Sequence, residues 1–125
     1  MKSTNKYILA IDAGTTSSRA ILFDKNAEAV EIAQYEFNQI FPKEGWVEHD
    51  AIEILNTQLK AIRDVINNSK IDPNNIDSVG ITNQRETTVI WNKKTDKPVY
   101  NAIVWQDRRT ASFCDDLKKN NKTEL

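Results

Sequence analysis

Residues 7–24 read YILAIDAGTTSSRAILFD, which is two apolar runs separated by a polar turn. The first run, residues 7–11, is a continuous apolar segment of the kind that is typical of a strand buried on both faces. The second run covers residues 20–23, and a third segment, residues 30–37, alternates with the period of two that a strand shows. We therefore predict that the chain begins with a three-stranded antiparallel meander connected by short turns.

A helix is predicted directly after the meander. Asp50 is expected to begin it, because its carboxylate can accept the free amides of the first turn and Glu53 completes a capping-box pattern. Apolar residues then recur at steps of three and four, which predicts one stripe packed against the sheet. The stripe consists of Ile52, Leu55, Leu59, Ile62 and Ile66.

The remaining sequence alternates between strand and helix signals. Strands are predicted over residues 77–82, 87–91 and 98–105, with a turn over residues 92–97. A second helix is predicted from Asp107, with its inner side formed by Ala111, Cys114 and Leu117. The order β-β-β-α-β-β-β-α predicts an α/β fold, a mixed sheet begun by the antiparallel meander with helices packed against it.

Length, charge and cysteine content exclude several classes of protein. The 125 residues suffice for one domain or part of one. Because 17 Lys and Arg against 18 Asp and Glu give 17 − 18 = −1, a general binder of nucleic acid or of anionic membranes is not expected. A single cysteine excludes an internal disulfide and a multi-cysteine metal site. The apolar run at residues 7–11 is too short for a signal peptide or a membrane span, so a cytoplasmic location is expected.

The turn between the first two strands carries the candidate chemistry. Glycine occurs only at positions 14, 45 and 80, so neither G-x-G-x-x-G nor the P-loop motif can be present. Gly14 permits a tight turn whose amides converge on one point, and Asp12 can hold a hydrated Mg²⁺ beside a phosphate. The side chains that can donate to phosphate oxygens are Thr15, Thr16, Ser17 and Arg19. The alternative is an ordinary polar hairpin turn, in which such residues are common.

This strand–Asp-x-Gly-Thr–strand segment resembles the first phosphate hairpin of the actin-like ATPase superfamily, which includes the FGGY family of sugar and polyol kinases. Residues 12–19 closely resemble the form of that hairpin in the glycerol kinases of the family. Three further stretches are similar in the same order: GWVEHD at 45–50, GITNQRETT at 80–88 and NAIVWQDRR at 101–109. The likeness extends from Tyr7 to about Leu117. Ala13 departs from the Gln that is usual there, and we expect it to tune contacts with ADP or product without abolishing binding.

The resemblance implies a ribonuclease H-like fold of the actin-like ATPase type, of which this chain is an incomplete part. Residues 1–125 are expected to form the N-terminal part of the FGGY N-terminal domain, with the phosphate hairpin at 7–24 and a glycerol-recognition segment at 80–88. The rest of that domain and the lobe that holds adenine are expected beyond Leu125. The family's catalytic Asp also lies there, so the resemblance assigns no catalytic residue to this chain and predicts that it is inactive alone.

Arg85 and Glu86 are the candidate substrate residues. Polyol hydroxyls both give and accept hydrogen bonds, and these neighbours supply a guanidinium and a carboxylate at a strand end. The alternative is a surface ion pair without function. The resemblance favours recognition of glycerol, because pentulose and gluconate kinases of the family usually have a Gly-Gln-Met-His type segment here.

Three other residues invite a role. Trp105 matches a tryptophan that lies against the carbon chain of glycerol in the family, although core packing is the alternative. His49 is the only histidine, and its position just before the Asp50 cap favours a structural role over that of a general base. Cys114 is predicted to be buried packing on the inner face of the last helix, not a nucleophile.

Taken as a whole, the resemblance implies ATP-dependent phosphorylation of glycerol to sn-glycerol 3-phosphate, with ATP and Mg²⁺ as cofactors. It also implies a homo-oligomer when the protein is full length, without nucleic acid or membrane insertion. Two alternatives remain at the level of sequence. One is another FGGY kinase with a different sugar or polyol, and the other is a non-catalytic nucleotide-binding module that kept the hairpin.

Overall fold

A computed structural model describes residues 6–120, in which one four-stranded sheet packs on a long helix. The strands are β1 (Tyr7–Ala13), β2 (Ser17–Phe23), β3 (Ala29–Glu36), β4 (Glu48–His49), β5 (Ile76–Thr82), β6 (Trp91–Asn92), β7 (Lys97–Pro98) and β8 (Ala102–Ile103). The helices are α1 (Ala51–Ser69) and α2 (Ala111–Lys119), with a 3₁₀ turn at Pro73–Asn75. No helix within residues 6–120 has the length and apolar character that crossing a membrane requires.

The predicted meander is confirmed. The large sheet has the order β3-β2-β1-β5, in which β1, β2 and β3 pair antiparallel and β5 runs parallel to β1. Its core lies between the sheet and α1, where Leu9, Ala20, Leu22, Ala33, Ala61 and Val65 are buried together. The fold is therefore α/β with a mixed sheet, as the order of elements predicts.

The cap of α1 is confirmed, whereas its apolar stripe and its capping box are corrected. Asp50 Oδ1 accepts from the amides of Ile52 and Glu53 at 2.8 and 3.3 Å. The carboxylate of Glu53, however, accepts from the backbone and side-chain amides of Asn38. Leu55 and Leu59 of the predicted stripe are 47% and 44% exposed. The residues of α1 that are buried are Ala51, Gln58, Ala61 and Val65.

The register of α1 differs because its contact face is built from small and polar residues. Alanines at positions 51 and 61 let the helix backbone approach the sheet closely, which larger side chains would prevent. Gln58 is held in this interface because its side-chain amide donates to the backbone carbonyl of Arg19 at 2.9 Å. A pattern of large apolar residues therefore predicts the wrong face of this helix as the buried one. Ile52, Ile62 and Ile66 of that pattern are only half-buried, at the edge of the interface.

The chain after β5 forms an arm, residues 83–110, in place of two long strands. Only short ladders occur in it: β6 pairs with β7 across the predicted turn, and β8 pairs with β4. The predicted strand over residues 98–105 is interrupted because Tyr100 and Asn101 turn toward a buried carboxylate. Their side chains donate to Glu48 at 2.8 and 2.9 Å.

The last helix begins later than predicted, at Ala111. Its predicted first residue, Asp107, is held in a turn, where its carboxylate accepts from the backbone amides of Val47 and Arg109 at 2.7 and 2.8 Å. Cys114 is exposed, which corrects the prediction that it is buried packing. Ala111 and Leu117 are half-buried on the inner side of α2, as predicted.

Candidate active site

The candidate site is a cavity of about 480 Å³ at one edge of the large sheet. Its walls are residues 12–15 of the hairpin between β1 and β2, residues 83–86 of the arm, and Trp105. Parallel pairing sets Asp12 opposite Thr82, so β1 and β5 end at the same edge, where their following loops meet. Ligands of open α/β sheets commonly bind outside the carboxyl ends of parallel strands, and this cavity has that position.

The tip of the hairpin is a tight turn that favours glycine at position 14. Its amide donates to the carbonyl of Ser17 at 3.0 Å, which closes the turn. A Cβ added to Gly14 would lie 3.0 Å from that same carbonyl oxygen. Glycine is therefore favoured here by close backbone approach and not by a left-handed conformation.

The hairpin residues predicted to bind phosphate divide into two groups. Asp12 and Thr15 line the cavity, and the Thr15 hydroxyl accepts from the indole N–H of Trp105 at 3.1 Å. Thr16, Ser17 and Arg19 are outside its wall. Ser17 is buried, with its hydroxyl accepting from Gln34 at 2.9 Å, and the Arg19 guanidinium donates to the same glutamine at 2.9 Å.

Arg19 is nevertheless close to the cavity in the order of the sheet. It lies directly opposite Asp12 in the β1–β2 register, so the two side chains emerge on the same face, the one opposite α1. The neighbours Ser18 and Ala20 point the other way and are fully buried. An anion held at Asp12 through a cation would therefore have the Arg19 side chain beside it on that face.

Arg85 and Glu86 both line the cavity and are both exposed. Within residues 6–120 neither forms an ion pair, so the alternative of a simple surface salt bridge has no support in the structure. Glu86 has φ +65°, the left-handed region that a residue with a side chain rarely adopts. Such strained backbone is concentrated at functional sites, where the surrounding structure maintains it.

Trp105 is a wall of the cavity and not a core residue. Trp105 is 51% exposed, which excludes core packing in the described part of the chain. Its indole nitrogen is tied to Thr15 and its backbone amide donates to the Thr87 hydroxyl at 3.4 Å, so the ring is fixed from two directions. An exposed but immobilised aromatic ring can cover the carbon chain of a small ligand.

A buried polar cluster, which the sequence analysis missed, holds the arm against β4. Glu48 is 1% exposed, and Arg109 donates to it at 2.7 Å and to Asp107 at 2.8 Å. The guanidinium of Arg109 also lies 3.8 Å above the centre of the Trp46 ring. Because this cluster fixes residues 107–109, it also restricts the backbone of the nearby Trp105 and therefore the direction of its side chain.

The pKa values in this cluster show that its charges are well compensated. The hydrogen bonds from Arg109 lower the pKa of Asp107 to about 2, despite its burial. Burial alone would raise the pKa of Glu48, yet hydrogen bonds from Arg109, Asn101 and Tyr100 hold it below its ordinary value. The pKa of Arg109 is raised in turn, chiefly by its hydrogen bond with Asp107. All three groups are therefore charged at neutral pH.

His49 is fully buried and does not line the cavity, so the geometry favours the structural role predicted for it. Gln39 donates from its amide nitrogen to the carbonyls of Thr15 and Phe37 at 3.3 Å, which leaves its oxygen to accept from His49 Nε2 at 2.6 Å. Burial lowers the pKa of His49, which keeps the ring neutral. Its edge packs on Phe37 with ring centroids 5.0 Å apart.

The donor set at the cavity fits a magnesium ion held mainly by a substrate. Asp12 supplies one carboxylate, and no cluster of three or more metal-binding side chains occurs within residues 6–120. Mg²⁺ in phosphoryl-transfer sites keeps several waters and is bound through one or two carboxylates plus phosphate oxygens. The cavity can therefore accept Mg²⁺ together with a phosphate compound.

Comparisons with known proteins identify similar chains among glycerol kinases. The chain is 63% identical over 120 residues to a glycerol kinase of Borreliella afzelii, covering 96% of this chain and 24% of the relative. It is 59% identical to a glycerol kinase of Mycoplasma mycoides, with the same coverage. The chain thus spans about a quarter of the length of the curated relatives it matches.

Solved structures give the same fold. The Plasmodium falciparum glycerol kinase with ADP is 36% identical with a TM-score of 0.81, covering 92% of this chain and 23% of that one. A gluconate kinase of Lactobacillus acidophilus is 28% identical with a TM-score of 0.83, covering 93% and 23%. The sequence-family model for the N-terminal domain of the FGGY family of carbohydrate kinases matches residues 7–125. The chain belongs to the FGGY family of carbohydrate kinases.

Proposed function

We propose that this chain supplies the phosphate-binding hairpin and the polyol-binding segment of a glycerol kinase, which phosphorylates glycerol with ATP to give sn-glycerol 3-phosphate and ADP. The single observation that carries the proposal is the cavity in which Asp12 and Thr15 of the hairpin face Arg85 and Glu86 of the arm. One wall suits phosphate and the opposite wall suits hydroxyl groups, so a phosphoryl donor and a polyol acceptor would meet there. A reaction that consumes ATP also suits a cytoplasmic enzyme.

Glycerol is proposed as the acceptor because of three side chains. Arg85 offers several N–H donors, Glu86 offers carboxylate acceptors, and the fixed ring of Trp105 offers an apolar surface for a three-carbon chain. The identity of about 60% to proteins named glycerol kinase supports the same choice. Gluconate and xylulose kinases share the fold, so the architecture alone does not select the substrate.

ATP is proposed to bind with its transferred phosphate at the tip of the hairpin. The Gly14 turn brings the backbone close to a phosphate, and the Thr15 hydroxyl is at the cavity wall. Thr16, Ser17 and Arg19 follow along the same hairpin outside that wall, and we propose them as contacts to the phosphate groups farther from the acceptor. Mg²⁺, when bound at Asp12, supplies neutralisation of the charge that develops during transfer.

The catalytic base is proposed to lie outside this chain. Of the carboxylates at the cavity, Asp12 is proposed to hold the metal and Glu86 to accept from substrate hydroxyls, which leaves neither to take the proton. His49 does not reach the cavity. The chain by itself is therefore proposed to contact both substrates without completing a turnover.

The test is a completed enzyme, made by joining this chain to the remaining three quarters of the Borreliella afzelii relative. ADP release is measured with glycerol, gluconate and xylulose as acceptors, with the intact relative as positive control and the 125-residue chain alone as negative control. We expect turnover with glycerol by the completed enzyme and none by the chain alone. A preference for gluconate or xylulose would transfer the proposal to another kinase of the family. Nucleotide binding without turnover of any acceptor would favour a non-catalytic module.

A further inference from the structure

Two neighbouring carbonyls at the tip of the phosphate hairpin are held by side-chain amides from the rest of the chain. Gln84 Nε2 donates to the carbonyl of Gly14 at 2.7 Å, and Gln39 Nε2 donates to that of Thr15 at 3.3 Å. In a trans peptide the C=O and the following N–H point in opposite directions. Fixing these carbonyls therefore also fixes the directions of the amides that follow them in the turn.

The two glutamines differ in what lies at their other end. Gln39 leads into the interior, where its oxygen accepts from the buried His49. Gln84 belongs to the arm, where its oxygen accepts from the Thr87 hydroxyl at 3.1 Å, and that hydroxyl also accepts from the amide of Trp105. Its side chain also lies beside the buried His49, where it opposes the lowering of the pKa of that ring. Of the two glutamines, Gln84 therefore connects the hairpin tip to the wall that carries the proposed polyol residues, beside the bond from the Trp105 indole to the Thr15 hydroxyl.

Gln84 is also the residue before Arg85 and lines the cavity itself. Gln84 and Gly14 are 70 positions apart in the sequence. The bond between them joins the loops that follow β1 and β5 across the mouth of the site. Bonds on either side of one amide group can limit both the separation and the rotation of the two walls, together with the bond from Trp105 to Thr15. A shift of about 1 Å between reacting groups can cost about a hundredfold in rate.

We propose that Gln84 is a positioning residue that aligns the phosphate hairpin with the Arg85–Glu86 segment, and thereby the transferred phosphoryl group with the accepting hydroxyl. The inference rests on the proposed function, since it concerns the same cavity. Gln84 acts through Gly14 and Thr87 and needs no contact with either substrate. Its loss should consequently lower kcat far more than it changes either KM.

The first experiment replaces Gln84 in the completed enzyme. Gln84→Ala is expected to lower kcat by about tenfold to a hundredfold, with the KM for glycerol and for ATP within about threefold of wild type. Gln106→Ala, at an exposed glutamine outside the cavity wall, is the matched control and should leave both parameters unchanged. A kcat of Gln84→Ala within about twofold of wild type, or a loss confined to KM, would overturn the inference.

The second variant, Gln84→Glu, keeps the shape of the side chain and makes its donor depend on pH. An ionised carboxylate cannot donate to the Gly14 carbonyl, whereas a protonated one can. Its kcat divided by that of wild type should therefore rise as the pH falls from about 6.5 to about 4.5, because a glutamate side chain with its ordinary pKa of about 4.3 begins to take up a proton there. A ratio that stays flat across this range contradicts the hydrogen bond as the cause. This variant carries the kinetic test if Gln84→Ala melts at a much lower temperature than wild type.

A measurement without turnover separates this inference from the proposed function. Hydrogen exchange of the Gly14 amide, which is bonded to the Ser17 carbonyl, is followed in the 125-residue chain, where Gln84→Ala should accelerate exchange by about tenfold or more and Gln106→Ala should not. Unchanged protection would overturn the positioning role whatever the substrate is. The proposed function alone would be overturned by a different result: no turnover of glycerol by the completed enzyme without substitutions, under conditions in which the intact relative phosphorylates it.

Discussion

The meander and the arm are held together by different forces. β1, β2 and β3 are joined by continuous ladders over an apolar core, in which Ala20 and Leu22 have no exposed surface. The arm has ladders of only two residue pairs and is held to β4 by the cluster of Glu48, Asp107 and Arg109. Apolar burial tolerates changes of pH and salt, whereas an ionic cluster depends on the protonation of its carboxylates.

The cavity lies at the boundary between these two regions. The hairpin wall is part of the rigid meander. The wall of Arg85, Glu86 and Trp105 is part of the arm, which is attached through polar contacts. Phosphoryl transfer requires both walls in register. Substitutions in the two regions should therefore fail in different ways, which the following predictions use.

The largest effect is expected at the rigid wall, from Asp12→Asn in the completed enzyme. The substitution preserves shape while it removes the proposed metal ligand, so kcat should fall by about a hundredfold to a thousandfold. Nucleotide affinity, measured by titration with ADP, should change by only a few fold. Asp77→Asn, at an exposed aspartate at the other end of the sheet, is the matched control. Near-normal kcat at saturating Mg²⁺ would show that Asp12 only ends the strand.

The next effect compares one buried group from each region. Glu48→Gln leaves Arg109 without one buried partner and should cost about 3 kcal/mol of unfolding free energy. Leu22→Ala opens a cavity in the core of the meander and should cost about 2–5 kcal/mol. Urea unfolding of the chain is followed by tryptophan fluorescence and by far-UV circular dichroism.

The two probes distinguish the regions because every tryptophan lies in the arm or against Arg109. Circular dichroism is dominated instead by α1, which packs on the meander. Glu48→Gln should move the fluorescence transition ahead of the dichroism transition, and Leu22→Ala should move both together. Coincident transitions in Glu48→Gln would mean that the arm and the meander unfold as one unit.

The sequence predicts the meander well and the arm poorly. The meander, the Asp50 cap and the tight turn at Gly14 depend on residues close together in the chain, so local pattern is enough to predict them. The arm depends on contacts between Glu48 and residues 52 to 61 positions away, which leave no periodic signal. The predicted strand at 98–105 was wrong for that reason.

The candidate site shows the same limit. Asp12, Thr15, Arg85, Glu86 and Trp105 could be predicted, since they lie in motifs that resemble those of the family. Gln84 lies in one of those motifs, yet an amide that bonds a carbonyl 70 residues away has no signature of its own. The buried face of α1 was likewise missed, because alanine and glutamine carry little weight in an apolar pattern.

Acid should detach the arm before it unfolds the meander. The pKa of Asp107 is lowered to about 2 from 3.8 and that of Glu48 is lowered as well. Lowered carboxylate pKa values stabilise the fold above the unfolded pKa, and that stability is lost as pH falls through the folded pKa. For Asp107 the loss is about 2 kcal/mol, between about pH 4 and pH 2. Tryptophan fluorescence should therefore change in this window while helical dichroism persists. Simultaneous loss of both signals would contradict an independently attached arm.

The smallest effect concerns the strained residue at the boundary itself, Glu86. Glycine adopts its φ of +65° without the steric penalty of a side chain, so Glu86→Gly should stabilise the chain by about 0.5–1 kcal/mol, even after the larger unfolded-state entropy of glycine is counted. Glu86→Ala keeps the strain and should give no such gain. The two variants therefore separate backbone strain from side-chain chemistry at a single position.

Kinetics of the same pair complete the argument. Both variants lack the carboxylate proposed to accept from glycerol, so both should raise the KM for glycerol by about tenfold or more and leave the KM for ATP within a few fold. A residue kept only for structure would give the opposite result, since the more stable Glu86→Gly enzyme would retain normal glycerol kinetics. The expected combination of higher stability and poorer glycerol binding would mean that the strain is maintained because the carboxylate must point into the cavity.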